Sequence, residues 1–203
     1  MAGNQNAPHG FEPIGTLHGG AMQTMEFVKL AAFGHAIYRN DIVHAATSDA
    51  TNSEGRIAPA LEGSDTFTPG TTLESGILLN YAPASTLSDH QVLIDPHLIM
   101  EGQDDGSVNP ATVVLGVQPQ DPGKNANITL ATAGQTFGSA AGKQGLSGQQ
   151  IDATTIATTN TLDLHILHLL YVNEALGGNA FGANSRVVVT FNRHRLANQV
   201  VGV

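Results

Sequence analysis

Cysteine is absent from this chain, which excludes disulfides, a thiolate nucleophile and any zinc site that uses cysteine. Tryptophan is also absent and aromatic residues make up only 5%, a poor supply of the flat faces on which sugars stack. Charged residues are 12% of the chain, against roughly a quarter in ordinary soluble domains. Thr, Ser, Asn, Gln and Gly must therefore cover the surface, unless part of it is buried against partners. Basic residues are the scarcer sign: 8 Lys and Arg stand against 17 Asp and Glu, for a net charge of -9. Such a balance repels phosphate backbones, so nucleic acid is not an expected partner. The nearest approach to a basic cluster is Arg193-His194-Arg195, which reads as a solvated strand end or a contact for an acidic neighbour. No apolar run reaches the roughly eighteen residues of a membrane-spanning helix, so no membrane association is expected. The opening residues carry neither a basic residue nor an apolar run and are not expected to be a secretory signal.

What is present is a set of short strand-like segments closed by Gly, Pro and Asn. With 203 residues, the chain can bury a real core in one domain. Residues 161–172 (TLDLHILHLLYV) give the clearest period-two pattern, and the apolar phase shifts after Ile166, as a bulge or burial on both faces would require. Residues 186–192 (RVVVTFN) alternate Val187, Val189 and Phe191 on one face and are rich in β-branched residues. Residues 91–94 and 97–100 read as strands broken at Asp95-Pro96, and Asp104-Asp105-Gly106 reads as a turn. Asn40-Asp41 reads as a turn leading into a strand at Ile42-Val43. Residues 24–33 fit either helical or alternating spacing.

Other stretches read as irregular. Residues 1–10 look like a flexible arm, and residues 47–55 like a polar loop. Residues 119–150 are dense in Gly, Ala, Ser, Thr and Gln and read as a surface excursion with little core content. The expected architecture is therefore mainly β, a sandwich or barrel of jelly-roll-like type, with at most one or two short helices. Residues 1–20 form an N-terminal arm and residues 21–203 a single β-rich domain in this reading.

The chemistry-bearing residues do not assemble into a recognisable motif. His165 and His168 are three apart; on a regular strand they point to opposite faces and share no metal. Glu101, Asp104 and Asp105 could offer oxygen ligands, but their spacing is not that of a calcium loop, and an acidic turn is the simpler reading. A carbohydrate-active enzyme would need Glu101 paired with Asp104 or Asp105. No serine among Ser75, Ser85, Ser139 and Ser147 lies in a G-x-S-x-G elbow, and Lys143 lacks the ending of a phosphate loop. No catalytic residue, metal or cofactor is expected.

Several blocks, taken in order, resemble a known family. Residues 10–20 (GFEPIGTLHGG, with a GF-x-P-x-G core), 38–43, 95–106 (DPHLIMEGQDDG), 123–126, 147–148 and 181–194 resemble successive segments of the head decoration (cement) proteins of tailed bacteriophages. The chain departs from that pattern at Met100, where the family has Phe, and in the Ala/Gly-rich stretch around residues 131–145. The resemblance implies a non-enzymatic capsid decoration protein on the outer surface of the virion. Its partners would be the major capsid protein and further copies of itself, as a homotrimer or else a homodimer. It further implies that Phe11, Pro13, Ile14, Leu17 and His18 contact the capsid. A different virion module, attached to tail or fibre, is the nearest alternative.

Overall fold

The computed structural model describes residues 4–29, 36–45, 57–59, 74–80, 82, 88–130, 146–171, 178–194 and 196. Among these residues the regular structure is entirely β, with no helix. The strands are β1 (Glu12–Thr16), β2 (Thr24–Lys29), β3 (Ile42–Ala45), β4 (Ile57–Pro59), β5 (Glu74–Leu78), β6 (Ser88–Leu93), β7 (Leu98–Gln103), β8 (Val108–Asn109), β9 (Val114–Leu115), β10 (Asn125–Leu130), β11 (Gln149–Ala157), β12 (Leu164–Leu169) and β13 (Arg186–Phe191). They form a six-stranded sheet of order β1-β7-β13-β12-β10-β11, a five-stranded sheet of order β2-β6-β5-β3-β4, and the separate β8-β9 hairpin. All strand pairings are antiparallel. The mainly-β expectation holds, and the two sheets share a core as in a sandwich.

Alternation explains the larger sheet. Leu98 and Met100 on β7, Val187, Val189 and Phe191 on β13, Leu164 and Ile166 on β12, Ala126 and Ile128 on β10, and Ile151 and Ala153 on β11 all enter one buried cluster. Their neighbours on β7, β12 and β13 are Glu101, Gln103, Thr190 and His165, and they occupy the other face. The sheet also curls back on itself. Residues just past β7 meet β11 through a parallel bridge from Asp104 to Ile151, and the Asp105 amide donates to the Ile151 carbonyl at 3.0 Å. The smaller sheet is different: Ile42, Ile77 and Leu93 join the large core, while Val43, Leu78 and Val92, their sequence neighbours, lie in a second buried cluster with Phe27, Ile37, Ala82 and Ile94. Both its faces carry buried apolar residues.

A bent two-stranded ribbon links the sheets. β1 runs beside β7 and β2 beside β6, so residues 12–29 and 88–103 cross from one sheet to the other together. Asp95, Pro96 and His97 make the corner on one side, where Asp95 Oδ1 accepts the His97 amide at 2.8 Å. Pro96 thus sits between strands, where its missing N–H interrupts no ladder.

Several sequence expectations change. The segment read as an arm is built into the domain: Phe11 is completely buried, β1 pairs with β7, and Asn4 and Ala7 bond to Ala180, Ala183 and Gln103. Gly102 lacks a side chain because the Phe11 ring fills that place; a Cβ there would lie 2.6 Å from the ring. The ambiguous segment at residues 24–33 is a strand over its described part. Residues 119–150 contribute β10 and the start of β11 to the core sheet, with Gln149 and Gln150 fully buried. Gln149 behaves as a strand-spacer, accepting the Ile42 amide at 2.6 Å and donating to the Ile42 carbonyl at 3.1 Å. Arg193 and His194 are buried rather than solvated, with Arg193 3.9 Å from Asp163. The loop expected at residues 47–55, the centre of the excursion at residues 131–145, and Ser85, Ser139, Lys143 and Arg195 lie outside the described residues.

Candidate functional site

The most exposed apolar feature near the expected contact residues is the outer edge of the ribbon. β1 and β2 are the terminal strands of their sheets, so each has one side without a strand partner among the described residues. Ile14, Leu17, Met22 and Met25 are all exposed along this edge. Ile14 is the extra residue of a β-bulge: Pro13 pairs with Met100 and Gly15 with Ile99, and Ile14 has no cross-strand partner. A bulge pushes its residue out and interrupts the ladder, and Pro13 removes a backbone donor. Together they blunt β1 against strand addition while leaving apolar side chains presented.

Of the five contact residues implied by the resemblance, Ile14, Leu17 and His18 are exposed and Pro13 is half-buried. His18 rests edge-on against His97, with ring centroids 4.3 Å apart. Phe11 is the exception. It is a core residue with no exposed surface. Met22 and Met25 lie further along the ribbon, Met25 opposite Val92 of β6, and were not anticipated.

A second exposed apolar feature is the β8-β9 hairpin, where Val108, Val113, Val114 and Leu115 are exposed, Val113 to 81%. Asn109 shapes its turn, accepting the Ala111 amide through its side chain and the Thr112 and Val113 amides through its carbonyl. Val113 has φ 57°, a left-handed conformation that a β-branched residue adopts only under constraint.

The acidic residues are occupied as internal fasteners. Asp104 is fully buried. Its Oδ1 accepts the Gly106 and Asn184 amides at 2.8 and 2.9 Å, and its Oδ2 accepts the Ser185 amide at 2.8 Å and the Ser185 hydroxyl. Burial raises its pKa above the usual aspartate value, and these hydrogen bonds offset only part of that. Asp105 accepts from Ser107 and from the Ala153 amide on β11. Asp41 is buried with two donors, the Tyr38 amide at 2.7 Å and the Ser147 hydroxyl; burial pushes its pKa up to about 7 despite both. The Asn40-Asp41 turn therefore holds, with Asn40 at φ 69°.

Glu101 has a different setting, on the outer face of β7. Arg186 reaches it through both Nε and Nη2, and His9 Nε2 lies 3.3 Å away. Burial by itself raises its pKa, but the contacts with His9 and Arg186 prevail and hold it below the usual glutamate value. Glu101 and the Asp104-Asp105 pair thus have separate partners and do not converge as a catalytic carboxylate pair.

His165 and His168 correct a further expectation. The register shifts between Ile166 and His168, so the bulge inferred from the sequence is present. It also resets the parity: His165 faces Thr190 and His168 faces Val188, positions two apart on β13, so both histidines lie on the same face. They still act separately. His165 meets Asn125 Oδ1 at 2.7 Å, and burial lowers its pKa; His168 is exposed and meets the Leu169 carbonyl at 2.9 Å.

No protein-family model, curated protein or solved structure matches this chain. The class is therefore defined by the fold alone, an all-β protein of two antiparallel sheets.

Proposed function

We propose that this chain is a non-enzymatic capsid decoration protein that binds the outside of a tailed-phage head and bridges neighbouring capsid subunits. The observation that carries the reading is the set of exposed apolar side chains, Ile14, Leu17, Met22 and Met25, on and between the terminal strands β1 and β2. With β1 blunted by its bulge and proline, they suit docking by side chains against a partner surface rather than open-ended strand addition. The scarcity of charge supports it, since a surface meant to be covered needs less. A decoration protein that binds only the assembled shell stabilises it by mass action, and a trimer placed at threefold positions multiplies a modest affinity. The acidic net charge suits the outside of the shell, away from packaged DNA. The use of Asp41, Asp104 and Asp105 as hydrogen-bond hubs favours this reading over a carbohydrate-active enzyme.

Deleting residues 1–15 is a poor test, because it removes Phe11 and most of β1. The better variant is Ile14→Asp with Met25→Asp, which alters exposed positions and leaves the core intact. Purified protein is mixed with expanded heads and the lattice is imaged. The wild type is expected to decorate the lattice and the double variant to lose at least about tenfold in occupancy at matched concentration, a change of about 1.4 kcal/mol. Absence of wild-type decoration, or equal occupancy by both proteins, overturns the proposal.

A further inference from the structure

Among the described residues, one group of side chains can converge on a metal ion: His9, Glu12 and Glu101, whose ligand atoms all lie within 4.8 Å of one another. Two strands and the preceding turn create it. Glu12 on β1 is the direct cross-strand partner of Glu101 on β7, and like charges placed so are destabilising unless something lies between them. His9 is returned over the pair by Gly10, whose φ of 76° turns the chain where a Cβ would strike Ser147 and Asn40.

The placement of the His9 ring is the second observation. Nδ1 is 3.2 Å from the Ala7 carbonyl. A carbonyl only accepts, so Nδ1 carries the proton and, in the neutral ring, Nε2 presents a lone pair. That nitrogen is buried and makes no hydrogen bond, yet it faces Glu101 Oε1 at 3.3 Å. Arg186 already bonds that same oxygen, and Nε2 and Oε1 stand close enough to share one further cation. The spacing suits one: two ligands about 2.0–2.1 Å from a tetrahedral zinc stand about 3.3 Å apart. The outer contacts suit it too. Ligating histidines donate their second ring N–H to a carbonyl, and ligating carboxylates are themselves hydrogen-bonded, as Glu101 is by Arg186.

We infer that His9 Nε2, Glu12 and Glu101 form a binding site for a divalent transition metal of the zinc type, with a water in the fourth position. Glu12 is exposed and closes the site by rotating its side chain. The ion would tie the N-terminal segment to β1 and β7, neutralise the facing glutamates, and serve as a clasp rather than a reaction centre. The inference is independent of the capsid reading.

The test uses tag-free full-length protein, stripped with chelator and exchanged into chelator-free buffer at pH 7.5. Zinc is titrated calorimetrically, and cobalt is followed by its visible absorption. The expected result is one saturable site, a tetrahedral-type cobalt spectrum, and an unfolding temperature that rises with zinc. Glu12→Gln and His9→Asn should each weaken zinc binding by at least about 100-fold, beyond the roughly 10–100-fold typical of losing an outer-shell partner. Glu12→Gln removes the like charge facing Glu101 and should unfold no more easily than the wild type when no metal is added, which separates lost binding from lost fold. No saturable zinc binding by the wild type, or binding that neither variant weakens, overturns the inference. In the first case the His9–Glu101 contact is an imidazolium–carboxylate pair only.

Discussion

Two neighbouring turns make opposite use of the chain. The turn after β7 buries Asp104 and surrounds its carboxylate with amide and hydroxyl donors from residues 106 and 184–185. A few residues on, the β8-β9 turn holds Val113 exposed in a left-handed conformation. One turn leaves almost no polar capacity unused; the other tolerates backbone strain and places an apolar side chain in water. The difference shows where this protein concentrates order. Its carboxylates fasten strands from within, and its apolar surplus lies at the hairpin and the ribbon edge.

The largest expected effect breaks the first turn. Asp104→Ala leaves the Asn184, Ser185 and Gly106 amides without their acceptor and should lower stability by about 3 kcal/mol or more, measured as a drop in the urea midpoint. A loss below about 1 kcal/mol would mean that water replaces the carboxylate and that the turn is less closed than its contacts indicate. The next test asks whether the number of donors matters. Asp41, with two donors, has its pKa raised to about 7. An acid whose folded pKa exceeds its unfolded value contributes stability that is fully present below the unfolded value and lost as pH rises through the folded one. For Asp41 that window runs from about 4 to about 7. Between pH 5 and pH 8 the wild type should therefore lose about 2–3 kcal/mol relative to Asp41→Asn, read from urea unfolding at both pH values. A constant difference between the two proteins would show that Asp41 stays ionised throughout. The smallest effect concerns the second turn. Val113→Gly relieves a left-handed β-branched residue and should raise stability by about 1 kcal/mol, seen as a higher thermal midpoint; a decrease would show that the Val113 side chain is packed rather than merely strained.

Much of the fold could be read from the residues because local pattern and tertiary environment agree there. β7, β12 and β13 follow period two, the 104–106 turn carries its Asp-Asp-Gly signature, and the phase slip after Ile166 is a real bulge. The errors arise where one residue alters the meaning of those around it. That same bulge puts His165 and His168 on one face, against the parity of a regular strand. Residues 119–150, which hold β10 and the start of β11, read as surface because Gly, Ala, Ser, Thr and Gln usually mark loops, yet Gln149 and Gln150 are buried with their amides bonded to backbone or side-chain groups of distant segments. Phe11 stood among the contact residues only through the resemblance of residues 10–20; the vacancy at Gly102 that receives it comes from about ninety residues later. The exposed edge was partly legible in Ile14 and Leu17, but Met22 and Met25 join it only through the course of the ribbon. His9 and Glu12 drew no notice because their partner, Glu101, is brought to them by strand pairing alone.

The position of β13 has a consequence for biosynthesis. It is the last strand in sequence among the described residues, yet it lies between β7 and β12, in the interior of the larger sheet. Until residue 191 has left the ribosome, β7 and β12 each wait with a raw, unpaired margin, and the sheet exists as two halves. Closure must follow translation of that strand and depends on contacts distant in sequence, a route that is slow and exposed to aggregation. A nascent chain stalled before residue 186 should therefore be a chaperone client, whereas one released after residue 194 can zip both halves together in a single step.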